Sequence, residues 1–275
     1  MNSMFESCTN LTFLDLSNFD TYFNVEFDSM FENCLSIISI NLSSFSTSGA
    51  FSLSSMFMGC ISLKSLDLFN FTNERVNNID YMFKDCSSLT SINLRIFNTD
   101  NVFSMNEVFY GCSSLKYLDL SNFKTKNVGE MNRLLKDCTS LENLILSNDF
   151  VPGFTYYLEE TFMNCISLKS LDLNNFDTSN NDYITSMFYN CTSLTYLNMP
   201  NLKTSGMASL NGIFYGCSSL TSLYLPYLET NHLDYSDYEN IFDECHNLEL
   251  SVYYQKNSYL IEYIPNYIKV KFLDN

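Results

Sequence analysis

The chain of 275 residues has no tryptophan, two histidines, and 14 lysines and arginines against 31 aspartates and glutamates. The resulting net charge of −17 repels phosphate backbones and anionic lipid heads, which argues against nucleic acid and bare membrane as partners. The acidity itself reads as a solvated surface. No apolar run approaches the ~18 residues that cross a bilayer, so no direct membrane insertion is expected. The opening Met1-Asn2-Ser3-Met4-Phe5-Glu6 has neither the basic start nor the apolar stretch of a secretory signal. With only His232 and His246, and no Cys-x-x-Cys, metal binding is not expected. A glycine-rich phosphate loop and a Gly-x-Ser-x-Gly elbow are also missing. The expectation is no cofactor and no enzyme.

What the chain does have is a period. Ten cysteines stand at 8, 34, 60, 86, 112, 138, 165, 191, 217 and 245, at intervals of 26 residues broken only by one of 27 and one of 28. A fixed period in this range marks a solenoid or similar array. The even count suggests disulfides, but the regular spacing argues against them. Equivalent residues of stacked units lie ~4.8 Å apart with parallel side chains, which does not match disulfide geometry. A buried row of reduced thiols, serving as small apolar filler, is expected.

Within each unit, Leu63, Leu89, Leu115 and their equivalents are followed three and five residues later by pairs such as Leu66 and Leu68, or Leu118 and Leu120. That alternation marks a short half-buried strand. Phe45, Phe71, Phe97 and Phe123 follow, each preceded by the turn of its unit. A second apolar set, Phe27, Met30, Phe31 and Cys34, recurs as Met105, Val108, Phe109 and Cys112. Its i, i+3, i+4, i+7 spacing predicts a short helix of barely two turns, with Ser104 and Glu107 placed as a capping box. The residue before cysteine is Gly, Asn or Asp in eight of ten units, which predicts a left-handed stop. Pro152-Gly153 predicts a bulged loop where the extra residue enters.

The unit reads Met-Phe-x-Gly-Cys-x-Ser-Leu-x-x-Leu-Asp-Leu-Ser-Asn-Phe-x-Thr. Phe109-Tyr110-Gly111-Cys112-Ser113-Ser114-Leu115 through Asp119-Leu120-Ser121-Asn122-Phe123-Lys124-Thr125 is nearly a consensus copy. It resembles the BspA-like leucine-rich repeat surface proteins over about residues 3 to 250. Departures are Leu134-Leu135 for Met-Phe, Ile145 for the ladder Asp or Asn, and Met199-Pro200 and Leu225-Pro226 for Leu-Ser. The expected fold is an α/β repeat solenoid, a right-handed leucine-rich-repeat-like coil with a parallel β-sheet on one face and short helices on the other. Residues 1–250 form about ten units with the N-terminal cap missing, because the chain starts inside a repeat. Residues 251–275 form a C-terminal cap. The resemblance implies a secreted or surface-displayed protein that adheres to host proteins or other cells, without catalysis or cofactor.

Outward strand residues supply the candidate binding face. Asp15, Asn41, Asp67, Asn93, Asp119, Ile145, Asp172, Asn198 and Tyr224 occupy one row, with Asp in every second unit up to Tyr224. Adjacent carboxylates ~4.8 Å apart repel by just under ~1 kcal/mol in water. Asparagine between them doubles the gap and donates to the Asp on either side. The row reads as a polar hydrogen-bonded ladder; the alternative is an acidic strip for a basic protein surface. Calcium is disfavoured because a line of oxygens does not converge on one point. Two positions earlier, Phe13, Tyr117 and Tyr196 join Tyr224 as aromatic candidates for interface anchors. Isolated surface aromatics are also ordinary. His246 beside Cys245 raises a hydrolase in the tail, but Cys245 belongs to the buried row. The expected function is protein binding or adhesion through the sheet face at the cell surface; the alternative is an intracellular scaffold using the same face.

Overall fold

Each unit contributes one short strand at its Leu-x-Leu step, where branched residues alternate with polar ones. The computed structural model describes residues 1–22 and 26–273; residues 274 and 275 of the expected cap lie outside them. The repeat strands are β1 (Phe13–Asp15), β2 (Ser39–Asn41), β3 (Ser65–Asp67), β4 (Ser91–Asn93), β5 (Tyr117–Leu120), β6 (Asn143–Leu146), β7 (Ser170–Asp172), β8 (Tyr196–Asn198), β9 (Ser222–Tyr224) and β10 (Glu249–Val252). All pairings are parallel, as a coil with one strand per turn requires. The chain is therefore a parallel-strand leucine-rich solenoid.

The expected continuous sheet is divided. β1 pairs with β2, β3 with β4, β5 with β6 and β7 with β8, while β9, β10 and β11 (Lys269–Phe272) form a three-stranded sheet. Between these groups no strand ladder forms among the described residues. From β3 to β8 the sequence carries the same two-unit rhythm. Lys64, Lys116 and Lys169 precede the first strand of a pair. Thr90 and Thr195 precede the second, and their hydroxyls donate to the carbonyls of Lys64 and Lys169, both at 3.0 Å.

The predicted helices are replaced by tandem turns. No helix covers Phe27–Cys34 or its equivalents. Ser29 and Asn33 instead take φ of 55° and 57°, and the pattern repeats at Tyr81 and Asp85. The N–H groups of Ser29, Phe31 and Asn33 donate to Ser54, Met56 and Met58 of the next rung at 2.7–2.9 Å, while Met30, Glu32 and Cys34 close local turns. The reason is spacing. Phe5, Phe31, Phe57, Phe83 and Phe109 stack with centroids 5.3–5.7 Å apart. Helices need about 8–10 Å between axes, so they cannot stack at this pitch. The i, i+3, i+4, i+7 residues all point into the core regardless. Ser104 and Glu107 form no capping box: Glu107 has φ 54°, and Ser104 donates to Asp80.

The turn before each cysteine is left-handed as expected, and glycine there answers to its neighbour. A Cβ on Gly111 would run into Asp85 Oδ1, and one on Gly59 into Asn33 Oδ1. The cysteines are free, and nine of the ten are buried. They are more than filler. Cys60, Cys86 and Cys112 donate their thiols to the carbonyls of Phe31, Phe57 and Phe83 in the preceding rung at 3.1–3.2 Å. A third internal row went unread. The buried hydroxyl of Thr99 accepts the N–H of Lys124 and donates to its carbonyl, and Thr178 and Thr204 treat Lys203 and Glu229 alike. Each threonine thereby satisfies backbone groups where no strand exists to do so.

Gly153, φ 65°, makes the turn expected beside the extra residue, and Phe150 remains in the core. After β10, α2 (Ser258–Tyr263) buries Leu260, and β11 pairs in register with β10. Tyr267 accepts the Glu244 N–H through its hydroxyl at 3.0 Å. A four-residue helix, α1 (Tyr235–Tyr238), lies in the unit before β10. No helix among the described residues is long and apolar enough to cross a membrane.

Candidate functional site

The strands turn Leu66, Leu118, Leu171 and Leu223 into the core and hold their neighbours on the opposite side. Asp15, Asp67, Asn93, Asp119 and Asp172 are exposed there; Asn41 and Asn198 are half-buried. Phe13, Tyr117, Tyr196 and Tyr224 share that face, each more than half exposed. All eleven candidate residues thus lie on one face, along strands that run from β1 to β9.

The ladder side chains have intramolecular partners. Asn93 donates to Asp67 and Asn198 to Asp172, both at 2.9 Å. Each of these bonds lies inside a strand pair and points to the preceding aspartate. The expected donation to both sides does not occur among the described residues. Asp15, Asp67, Asp119 and Asp172 also accept the N–H two residues on, at 2.9–3.0 Å, which shapes the turn after the strand. Ser17 backbone and hydroxyl, with Asn41 adding less, hold the Asp15 carboxyl below its ordinary range against slight desolvation.

At two of the four seams between strand groups, the face opens. The β4–β5 seam holds a cleft of about 280 Å³ that includes Asn93, Arg95, Tyr117 and Asp119. A second, of about 270 Å³, adjoins it on the far side of Arg95. The β6–β7 seam has one of about 330 Å³ with Ile145 and Asp172 on its walls and no lysine or arginine. Sequence reasoning missed these clefts and Arg95 alike. The signal available was the Asp of every second unit, which heads each strand pair from β1 to β8.

Elsewhere several cations are engaged. Lys84 pairs with Glu107 at 2.6 Å, and Arg133 and Lys136 both reach Glu160 at 2.7 Å. Lys84 also lies 4.9 Å from the centre of the Tyr110 ring. Behind the sheet, Asp80 accepts Ser104 Oγ at 2.7 Å and the Asn106 N–H at 2.6 Å. Burial pushes its carboxyl up, in spite of these donors and with Glu130 adding to the effect.

Cys245 and His246 do not converge on a reactive pair. Cys245 is buried, its thiol is pushed up to about 12 by burial, and it donates to the Phe214 carbonyl at 3.0 Å. His246 stands exposed, 2.9 Å from Glu244 and edge-on to Tyr267.

A family model described as a Mycoplasma protein of unknown function, DUF285, matches the chain in four overlapping stretches, residues 1–116, 64–151, 118–227 and 155–256. No curated protein matches significantly. Among solved structures, a leucine-rich repeat protein from Bacteroides ovatus is 20% identical over 100% of this chain and 87% of its own, with a TM-score of 0.38. A leucine rich cell surface protein from Faecalibacterium prausnitzii is 17% identical over 90% of this chain and 76% of its own, TM-score 0.40. The leucine-rich repeat protein of T. pallidum is 21% identical over 62% of this chain and 70% of its own, TM-score 0.42. With TM-scores below 0.5, these likenesses add nothing to the architecture that the hydrogen bonds define.

Proposed function

This chain belongs to the family described as Mycoplasma protein of unknown function, DUF285, and from its solenoid we propose that it is a non-enzymatic protein-binding module acting through the strand face. The observation that supports this is the set of exposed aromatics, Phe13, Tyr117, Tyr196 and Tyr224, among polar ladder residues on one face. Rigid aromatics in a polar field supply contact area at low entropic cost. Among the described residues no histidine or thiol joins the carboxylates of this face: nine of the ten thiols are buried and the two histidines lie beyond β9.

The setting we propose is the cell surface or the extracellular space, with host or other cell-surface proteins as partners and adhesion as the outcome. This rests on the resemblance of the 26-residue unit to BspA-like surface proteins. An intracellular scaffold would use the same face. Antibody labelling of intact against lysed cells separates the two, since labelling only after lysis rejects surface display. The binding face is tested by capture of surface proteins from a partner cell. Replacing Tyr117 and Tyr196 together by alanine is expected to abolish capture while leaving the melting curve unchanged. Undiminished capture by the folded double variant rejects the strand face.

A further inference from the structure

We propose that the β4–β5 seam is a specificity pocket of the strand face, and that it takes the carboxylate of an Asp or Glu side chain in an extended segment of a protein partner. This rests on the reading of that face as the binding surface and goes on to name what it recognises.

Arg95 carries the argument. Its backbone is held on both sides: its N–H donates to Asn93 Oδ1 at 3.2 Å, and its carbonyl accepts from Asn122 across the seam. Its side chain is exposed and makes no ion pair, hydrogen bond or ring contact among the described residues. The other two arginines are engaged, Arg133 with Glu160 and Glu107 and Arg75 over the Phe51 ring at 4.3 Å. An unpaired guanidinium presents a planar fork of donors matched to a carboxylate.

The walls complete the match. Asp119 lines the same cleft as Arg95, yet no ion pair joins the two. Its Oδ1 is taken by the Ser121 N–H at 2.9 Å. The cleft therefore offers a donor fork and, apart from it, an acceptor. An extended peptide supplies both complements, a side-chain carboxylate for Arg95 and a backbone N–H for Asp119. Tyr117, half exposed at the rim, gives its apolar neighbour a ring to lie on. The cleft of about 280 Å³ lies where no ladder joins β4 to β5.

Charge permits it in spite of the acidic chain. From 95 to 126 there are four basic residues (Arg95, Lys116, Lys124, Lys126) and three acidic ones (Asp100, Glu107, Asp119), and Asp67, bonded to Asn93 on the cleft wall, brings the local balance to zero within a chain of −17. Glu107 is turned to the opposite side and paired with Lys84. Carboxylates farther than about 8 Å are screened at physiological salt. The β6–β7 cleft lacks a cation and provides an internal contrast.

The test is a display selection of random linear peptides on the whole chain, repeated on Arg95→Gln and on the Tyr117/Tyr196 double alanine. Folding of each variant is confirmed by its melting curve. The expected result is enrichment of peptides with an Asp or Glu at a fixed position. Their affinity is expected to fall about tenfold or more in Arg95→Gln, to recover in part in Arg95→Lys, and to weaken with salt. Peptides that depend on the tyrosines but are indifferent to Arg95→Gln overturn the pocket and leave the strand face standing. Peptides indifferent to all these changes overturn both.

Discussion

Asn93 donates its side-chain amide to Asp67 at 2.9 Å, and no such bond joins it to Asp119 on its other side among the described residues. The direction of this bond gives the strand face a two-rung repeat, while the thiols and stacked phenylalanines behind it repeat every rung. Thr90 reaches back to Lys64 in the same sense, and the strand ladders begin and end at the same places.

Replacing Asn93 by Asp tests that bond. It removes the donor and sets two carboxylates ~4.8 Å apart. The lost bond costs about 1 kcal/mol, and the repulsion adds up to ~1 kcal/mol at low salt. Urea midpoints are expected to show the whole loss in dilute buffer and only the first part in 1 M salt.

The thiol row gives a second test. Cys112 donates to the Phe83 carbonyl at 3.2 Å, so a serine hydroxyl at that place finds an acceptor waiting. Cys112→Ala loses both the donor and the volume of the sulfur, at an expected cost of ~1–3 kcal/mol. Cys112→Ser is expected to cost less than the alanine. Chemical denaturation of the two variants checks the order, and the reverse order contradicts a bond from residue 112 to the Phe83 carbonyl.

Alkaline pH should unfold the chain through the same residues. Burial holds the Cys86 and Cys245 thiols up at about 12, and those of Cys112, Cys165, Cys191 and Cys217 well above the ordinary range. Unfolded thiols ionise near ~8.5. The folded state therefore binds more protons above that value, and stability is lost as pH rises, by up to ~1.4 kcal/mol per pH unit for each thiol. Full stability is expected up to about pH 8, with cooperative unfolding above it. Circular dichroism and thiolate absorbance should change together; thiolates appearing in a folded chain contradict burial.

Gly111 has φ 73°, and a Cβ there would meet Asp85 Oδ1. Gly111→Ala is expected to cost ~1–2 kcal/mol from the left-handed backbone alone, and more from the collision. Adding Asp85→Ala should return the collision part and leave the backbone part. The double-mutant cycle measures that coupling.

The solenoid, its period and its core were legible because cysteine, leucine and phenylalanine recur at fixed places and each is buried for an evident reason. The face of each strand followed from alternation alone. The helix reading failed because i, i+3, i+4, i+7 burial is also satisfied by successive tight turns. Ser29, Tyr81 and Glu107 adopt left-handed φ without the Gly or Asn that usually announces it. What forces them is the neighbouring rung, which takes their N–H groups, and no single unit contains that information. The seam clefts were unread for a related reason. They are gaps between units, and Arg95 appears in the repeat only as a substitution at a variable loop position.

The two-rung unit also restricts how a chain of this kind can change length. Inserting or deleting two rungs joins like ends as before, with the Asp of each pair still followed by its own partner, Asn or, for Asp119, Ile145. Deleting the second rung of a pair brings Asp beside Asp and shifts every later seam by one strand. Growth of this strand face therefore counts in twos, and the spacing of its seams is inherited with the parity.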